Sequence, residues 1–228
     1  MRVWFASGNT HKKRELAQIL SAAAPPGAVW ELEIPSGAGL AFAPEETGAA
    51  FLDNALIKAE ALHRLLTEKD ALRTDDAIIA DDSGICVDAL GGRPGIYSAR
   101  YCGAGAHGSL QNNLSDTERN ALLLQELGDN PRRTARFVCA MVLYYSAARF
   151  FAAQETLEGE LVKNADAASG SGGFGYDPIL YLPQARCTAA QLTADEKNRH
   201  SHRGKAARII ARILFDAASP AGLVNAGN

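Results

Sequence analysis

Residues 2–13 run Arg2-Val3-Trp4-Phe5-Ala6-Ser7-Gly8-Asn9-Thr10-His11-Lys12-Lys13. The stretch Arg2 to Ala6 suits a short strand. The chain then turns at Ser7-Gly8-Asn9, and a helical pattern follows with Leu16, Ile19, Leu20 and Ala23 on one face. A strand that feeds a helix through a tight glycine turn begins a parallel crossover. Pro25, Pro26 and Gly27 stop the helix. Val29 to Ile34 reads as a second strand, and Gly37 to Pro44 as a loop. Phe51, Ala55, Ala59, Leu62 and Leu66 mark a second amphipathic helix. Ala77 to Ala80 reads as a short apolar strand that ends at Asp81-Asp82-Ser83-Gly84, with extended structure resuming over Ile85 to Val87. Strand, helix, strand, helix, strand is the order of an α/β fold with parallel pairing.

The second half adds antiparallel strands. Gly91 to Gly95 must turn, and Ser115-x-x-Glu118 is a capping box that opens a helix to about Leu127. Arg136 to Tyr145 and Arg149 to Val162 read as a long hairpin. Ser169 to Gly175 holds four glycines, and Ile179 to Leu182 reads as another strand. Thr193-x-x-Glu196 is a second capping box, and a closing helix spans about Arg203 to Ala217. The expected architecture is a long mixed central sheet flanked by helices. No repeat or linker divides the chain, so residues 1–228 are expected to form one domain.

Composition narrows the function. The chain has 228 residues, 47% apolar and 21% charged, which is ordinary globular composition. A net charge of −3 offers no basic field for nucleic acid or an anionic membrane. The longest apolar run, Phe137 to Tyr145, is nine residues, far short of a membrane span. The N-terminal residues lack the shape of a signal peptide. Cys86, Cys102, Cys139 and Cys187 lie far apart with no C-x-x-C, which points to a reducing, cytoplasmic setting rather than a disulfide framework or zinc site.

Five motifs bear chemistry, and each also has a purely structural reading. Ser7 to Lys13 joins a strand to a helix whose N-terminal N–H groups suit phosphate, with Lys12 or Lys13 as counter-charge; it is also an ordinary βα turn, and matches neither a Walker A loop nor G-x-G-x-x-G. Asp81-Asp82 can hold Mg²⁺ and position a water, or cap a turn. Glu45-Glu46 favours the start of a helix, and also offers metal oxygens. Gly170 to Asp177 allows close backbone approach to a ligand, with Phe174 and Tyr176 as faces for a base. Lys197, His202 and Arg203 cluster donors at the start of the last helix, where cations oppose the helix dipole. Together these features describe a nucleoside triphosphate site with a divalent metal.

The same segments carry a resemblance. They are Ala6-Ser7-Gly8-Asn9-x-x-Lys12-x-x-Glu15-Leu16, Glu45-Glu46-Thr47-Gly48-x-x-Phe51-x-x-Asn54-Ala55-x-x-Lys58-Ala59, and Ala80-Asp81-Asp82-Ser83-Gly84-x-x-Val87 continuing to Pro94-Gly95-x-x-Ser98-Ala99-Arg100-Tyr101. Gly172-Gly173-Phe174-Gly175-Tyr176-Asp177-Pro178-Ile179 and Glu196-Lys197-Asn198-x-x-Ser201-His202-Arg203 follow. In this order they resemble the inosine/xanthosine triphosphate pyrophosphatase family over almost the whole chain. Ser7 stands where bacterial members usually have Thr, Cys86 replaces a usual aliphatic residue, and Glu68 to Asp76 looks like an enlarged loop.

The resemblance implies two lobes with an active-site cleft between them, in a homodimer. It implies Mg²⁺-dependent hydrolysis of dITP, ITP and XTP to the monophosphate and pyrophosphate, cleansing the nucleotide pool. Carried over residue by residue, Ser7, Gly8, Asn9, Thr10, His11 and Lys12 line the phosphates. Asp82 is the proton acceptor and a metal ligand, and Ser83 touches substrate. Glu45 is the other metal contact, with Glu46 its rival. Phe174, Gly175, Tyr176, Asp177, Lys197, His202 and Arg203 hold the base and sugar end.

Base choice follows from hydrogen-bond polarity. Hypoxanthine and xanthine present a 6-oxo acceptor where adenine presents an amino donor, so Lys197 or Arg203 facing that position rejects adenine. Two other readings remain: a pyrophosphatase for modified pyrimidine or methylated nucleotides, and a nucleotide sensor without turnover. A HAD-type phosphatase needs Asp-x-Asp, which Asp81-Asp82-Ser83 does not supply.

Overall fold

A computed structural model describes residues 1–103 and 114–218. Seven strands form one sheet in the order β2-β1-β3-β4-β5-β6-β7. They are β1 (Arg2–Phe5), β2 (Glu31–Glu33), β3 (Ala77–Val87), β4 (Thr134–Ser146), β5 (Arg149–Leu161), β6 (Leu180–Leu182) and β7 (Cys187–Thr188). Strands β2, β1 and β3 pair in parallel, and every later pairing is antiparallel, so the sheet is mixed as expected. The helices are α1 (Thr10–Ala23), α2 (Phe51–Glu68), α3 (Asp116–Leu127), α4 (Ala194–His200) and α5 (His202–Ala218).

Alternation along the strands distributes the core. Val3, Phe5, Ala77 and Ile79 pack under α1 and α5, against Leu16, Leu20, Ile210 and Leu214. Their neighbours Trp4, Ala6, Ile78 and Ala80 face α2 and its Ala55, Ala59, Leu62 and Leu66. Each such leucine, fully buried, contributes roughly 1.5–3 kcal/mol. A separate cluster at the far end joins Ile85, Val87 and Phe137 to Leu123, Leu124 and Leu127 of α3.

Two expectations are corrected here. Strand β3 does not stop at Ala80 but runs unbroken through Asp81-Asp82-Ser83-Gly84 to Val87. Asp81 pairs with Met141 and Asp82 with Ala140. The last β1–β3 pair is Phe5 with Ile79, so the carboxylates sit just beyond the end of β1. There the ion pairs described below compensate their charge, and the strand tolerates them. The second strand is also shorter than expected, Glu31–Glu33, and the loop after it contains a single 3₁₀ turn, Pro35–Ala38. No helix among the described residues is long and apolar enough to cross a membrane.

Candidate active site

The end of β1, the start of α1, the middle of β3 and the Gly-rich loop surround one cleft of about 690 Å³. That is a suitable size for a small-molecule ligand. Asp81 and Asp82 are consecutive in a strand, so their side chains leave opposite faces of the sheet.

Asp82 turns toward α2 and lines the cleft. Its Oδ2 accepts from Asn54 Nδ2 at 3.1 Å, and its Oδ1 lies 3.6 Å from Lys58 Nζ. Lys58 also reaches Glu46 Oε1 at 3.1 Å. Asn54 Oδ1 accepts from Gly48 N at 2.8 Å, so one carboxamide ties the Glu45–Gly48 turn to Asp82. Burial pushes the Asp82 carboxyl above its ordinary value, against the opposing pull of Lys58 and the Asn54 bond.

Asp81 turns toward α1 and α5. Lys12 Nζ is 3.0 Å away and Arg203 Nε 3.2 Å. Burial alone would raise this carboxyl, but Lys12, Arg203 and Lys58 outweigh it and hold it well below the carboxylate range. Neighbouring acids are thereby driven apart: Asp81 is a fixed anion, and Asp82 the better proton acceptor.

At the start of α1, Ser7, Gly8, Asn9, His11 and Lys12 line the cleft. Thr10, the first helical residue, is exposed and does not. The expected open N–H groups are partly occupied, because Asn9 Oδ1 accepts from His11 N at 2.9 Å and Lys12 N at 3.1 Å. Lys12 faces the cleft while paired to Asp81. Glu46 lines the cleft, whereas Glu45 is exposed and outside it.

The opposite end is built around Phe174. Its ring lies 5.4 Å from Lys197 Nζ, 5.5 Å from the Arg203 guanidinium carbon and 5.7 Å from the His11 ring. Asp177 accepts from Phe174 N at 2.8 Å and from Lys197 Nζ at 2.6 Å. Gly173, at φ +78°, brings the loop against this pair; a Cβ there would collide with the Asp177 carboxylate and Lys197 ammonium. Tyr176 Oη donates to Ser98 O at 2.8 Å. Arg203 spans the cleft floor, donating to Glu15 Oε2 at 2.8 Å and Ser83 Oγ at 2.9 Å. His202 stacks on Phe137 at 4.9 Å. Burial, with Arg203 and Lys197 nearby, keeps its imidazole neutral, and its Nδ1 finds no hydrogen-bond partner among the described residues.

Thus Ser7, Gly8, Asn9, His11, Lys12, Asp82, Ser83, Phe174, Gly175, Tyr176, Asp177, Lys197, His202 and Arg203 line one cleft, whereas Thr10, Lys13, Glu45 and Asp81 do not. Glu15, Asn54 and Lys58 lie in the quoted segments, but only the structure shows what they hold. Asp116, Arg119 and Asn120 of α3 also line the cleft and were missed. One signal was available: Asn120 interrupts the apolar face continued by Leu123, Leu124 and Leu127.

Known proteins share this architecture. The chain is 41% identical to a dITP/XTP pyrophosphatase of Treponema denticola over 94% of this chain and 98% of that one. It is 40% identical to a dITP/XTP pyrophosphatase of Thermus thermophilus over 96% and 95%. Among solved structures, the Ham1 protein of Staphylococcus aureus matches with a TM-score of 0.75 at 34% identity, covering 95% of this chain and all of that one. A Ham1 protein from Coxiella burnetii matches at 0.74 and 31% identity, covering 95% and 99%. The model of the Ham1 family matches residues 3–213, and with these near full-length likenesses it shows that this chain belongs to that family.

Proposed function

We propose that the chain hydrolyses non-standard purine nucleoside triphosphates (dITP, ITP and XTP) to the monophosphate and pyrophosphate. The observation that carries this reading is the polarity of the cleft. Asp82, Glu46 and Lys58 gather at one end, and an aromatic ring flanked by Lys197 and Arg203 stands at the other. A triphosphate fits with its phosphates toward Ser7 to Lys12 and Asp82, and its base toward Phe174. The related dITP/XTP pyrophosphatases of Treponema denticola and Thermus thermophilus support the substrate class.

Asp82 orients the attacking water and accepts its proton, held by Asn54 and Lys58. The water oxygen bonds to the α-phosphorus, the α–β bridge breaks, and pyrophosphate leaves. Lys12 and Lys58 face the charge that develops. The carboxylate oxygens of Asp82 and Glu46 converge on one cation, Lys58 Nζ, and hard oxygen ligands of this kind would suit a divalent ion such as Mg²⁺. Among the described residues no group of three or more metal-binding side chains forms, so substrate phosphates would complete the coordination. Mg²⁺, when bound, supplies charge neutralisation for the leaving pyrophosphate. Glu46 replaces Glu45 as the proposed second ligand, because Glu46 lines the cleft. A cytoplasmic homodimer completes the reading, supported by the free thiols of Cys86, Cys139 and Cys187 for the compartment and by the motif resemblance for the dimer; light scattering checks the assembly.

Hydrolysis of ITP in H₂¹⁸O tests the reaction. The label is expected in IMP and absent from pyrophosphate; label in pyrophosphate or orthophosphate overturns attack at the α-phosphorus.

A further inference from the structure

We propose that Asn120 and Asp116 of α3 are positioning residues, which clamp the Phe174–Tyr176 turn so that the Phe174 ring is set for the substrate's base. The inference rests on the nucleotide reading of the cleft. It begins with an oddity of packing. Asn120 occupies the apolar face of α3 and is only 8% exposed. A buried carboxamide is costly unless fully bonded. This one is half bonded: Nδ2 donates to Gly175 O at 3.1 Å, while Oδ1 has no partner among the described residues. Leucine would serve the packing better, since it would remove an orphaned acceptor.

What asparagine adds is the bond to Gly175. One helical turn earlier, Asp116 Oδ2 accepts from Gly175 N at 2.7 Å. The two side chains stand at i and i+4, on one edge of the helix. Together they hold both polar groups of a single backbone unit. That residue has φ +64° and lies between Phe174 and Tyr176. On the other side, Asp177 holds Phe174 N, and Ser98 O holds the Tyr176 hydroxyl. The turn is thus pinned from both flanks, and among the described residues the bonds to Gly175 itself come from α3. Gly175 is half-exposed, so water can take over its polar groups once the clamp is cut. The fold then survives, but base binding must first order the turn.

The test compares Asn120→Leu, Asp116→Ala and Asp116→Asn with the unsubstituted protein. Thermal melting, affinity for IMP and for inorganic tripolyphosphate, and KM and kcat for ITP are measured. Asn120→Leu is expected to keep or raise Tm, to weaken IMP binding about three- to tenfold, the worth of one hydrogen bond, and to leave tripolyphosphate binding unchanged. KM for ITP rises more than kcat falls. Asp116→Ala behaves alike, and Asp116→Asn, which keeps an acceptor for Gly175 N–H, restores IMP binding. Unchanged IMP affinity in Asn120→Leu overturns the clamp. So does a lowered Tm, or equal loss of IMP and tripolyphosphate, either of which marks a general structural role. If the unsubstituted protein binds neither IMP nor ITP, the nucleotide reading itself fails and the clamp falls with it.

Discussion

Asp81 and Asp82 are chemically identical neighbours with different surroundings. Asp81 meets Lys12 and Arg203, while Asp82 meets Asn54 and one more distant ammonium. Asp82→Asn keeps the bulk and can still bond to Asn54, so ITP binding should persist. Pyrophosphate release should fall by about 10²–10⁴, the usual worth of a general base. Retained turnover would remove Asp82 from that role. His202 carries a second prediction. Its folded-state pKa lies well below 6.5, because burial, Arg203 and Lys197 disfavour the imidazolium, with Lys12 adding to them and Asp81 opposing. The unfolded chain therefore binds the proton first as pH drops, and folding stability is lost below about pH 6.5. His202→Gln should flatten the decline in Tm between pH 7 and pH 5. An equally steep decline would show that other groups govern it.

At the scale of elements, β3 joins three apolar clusters. It pairs with β1 only as far as Ile79, then continues along β4 to Val87, carrying Asp82 to the cleft. Along it, Gly84 lets the 3₁₀ turn Gly95–Arg100 approach; a Cβ there would strike Ser98 Oγ and Gly95 O. Gly84→Ala should destabilise the fold by about 1–3 kcal/mol, the usual cost of overpacking, read from urea melts. A neutral effect would mean that the turn yields easily. The same strand shows what was legible beforehand. Periodicity found α1, α2 and β4 because their apolar positions are continuous. It broke β3 at Asp81 because charge in a strand reads as a turn, and the compensating Lys12, Lys58 and Arg203 come from α1, α2 and α5. Asn120 was passed over for a related reason: its partner is a backbone group 55 residues away.

For the whole molecule, the five motif blocks were readable as blocks, and folding gathers them around one cleft. Their division of labour was not readable. Glu45 and Glu46 are equivalent in sequence, and only the turn tied to Asn54 puts one of them on the cleft. Lys197 and Arg203 stand beside the Phe174 ring while bound to Asp177, Glu15 and Asp81, so their donors are held in fixed directions. Fixed donors favour a 6-oxo purine over adenine, since a buried donor facing another donor goes unpaired. The most direct test is product release from ITP and XTP against ATP and GTP, with Mg²⁺ and then with EDTA. The account predicts pyrophosphate and monophosphate from ITP and XTP, lost on chelation, with ATP left intact. Orthophosphate as the product, or equal turnover of all four nucleotides, would contradict it.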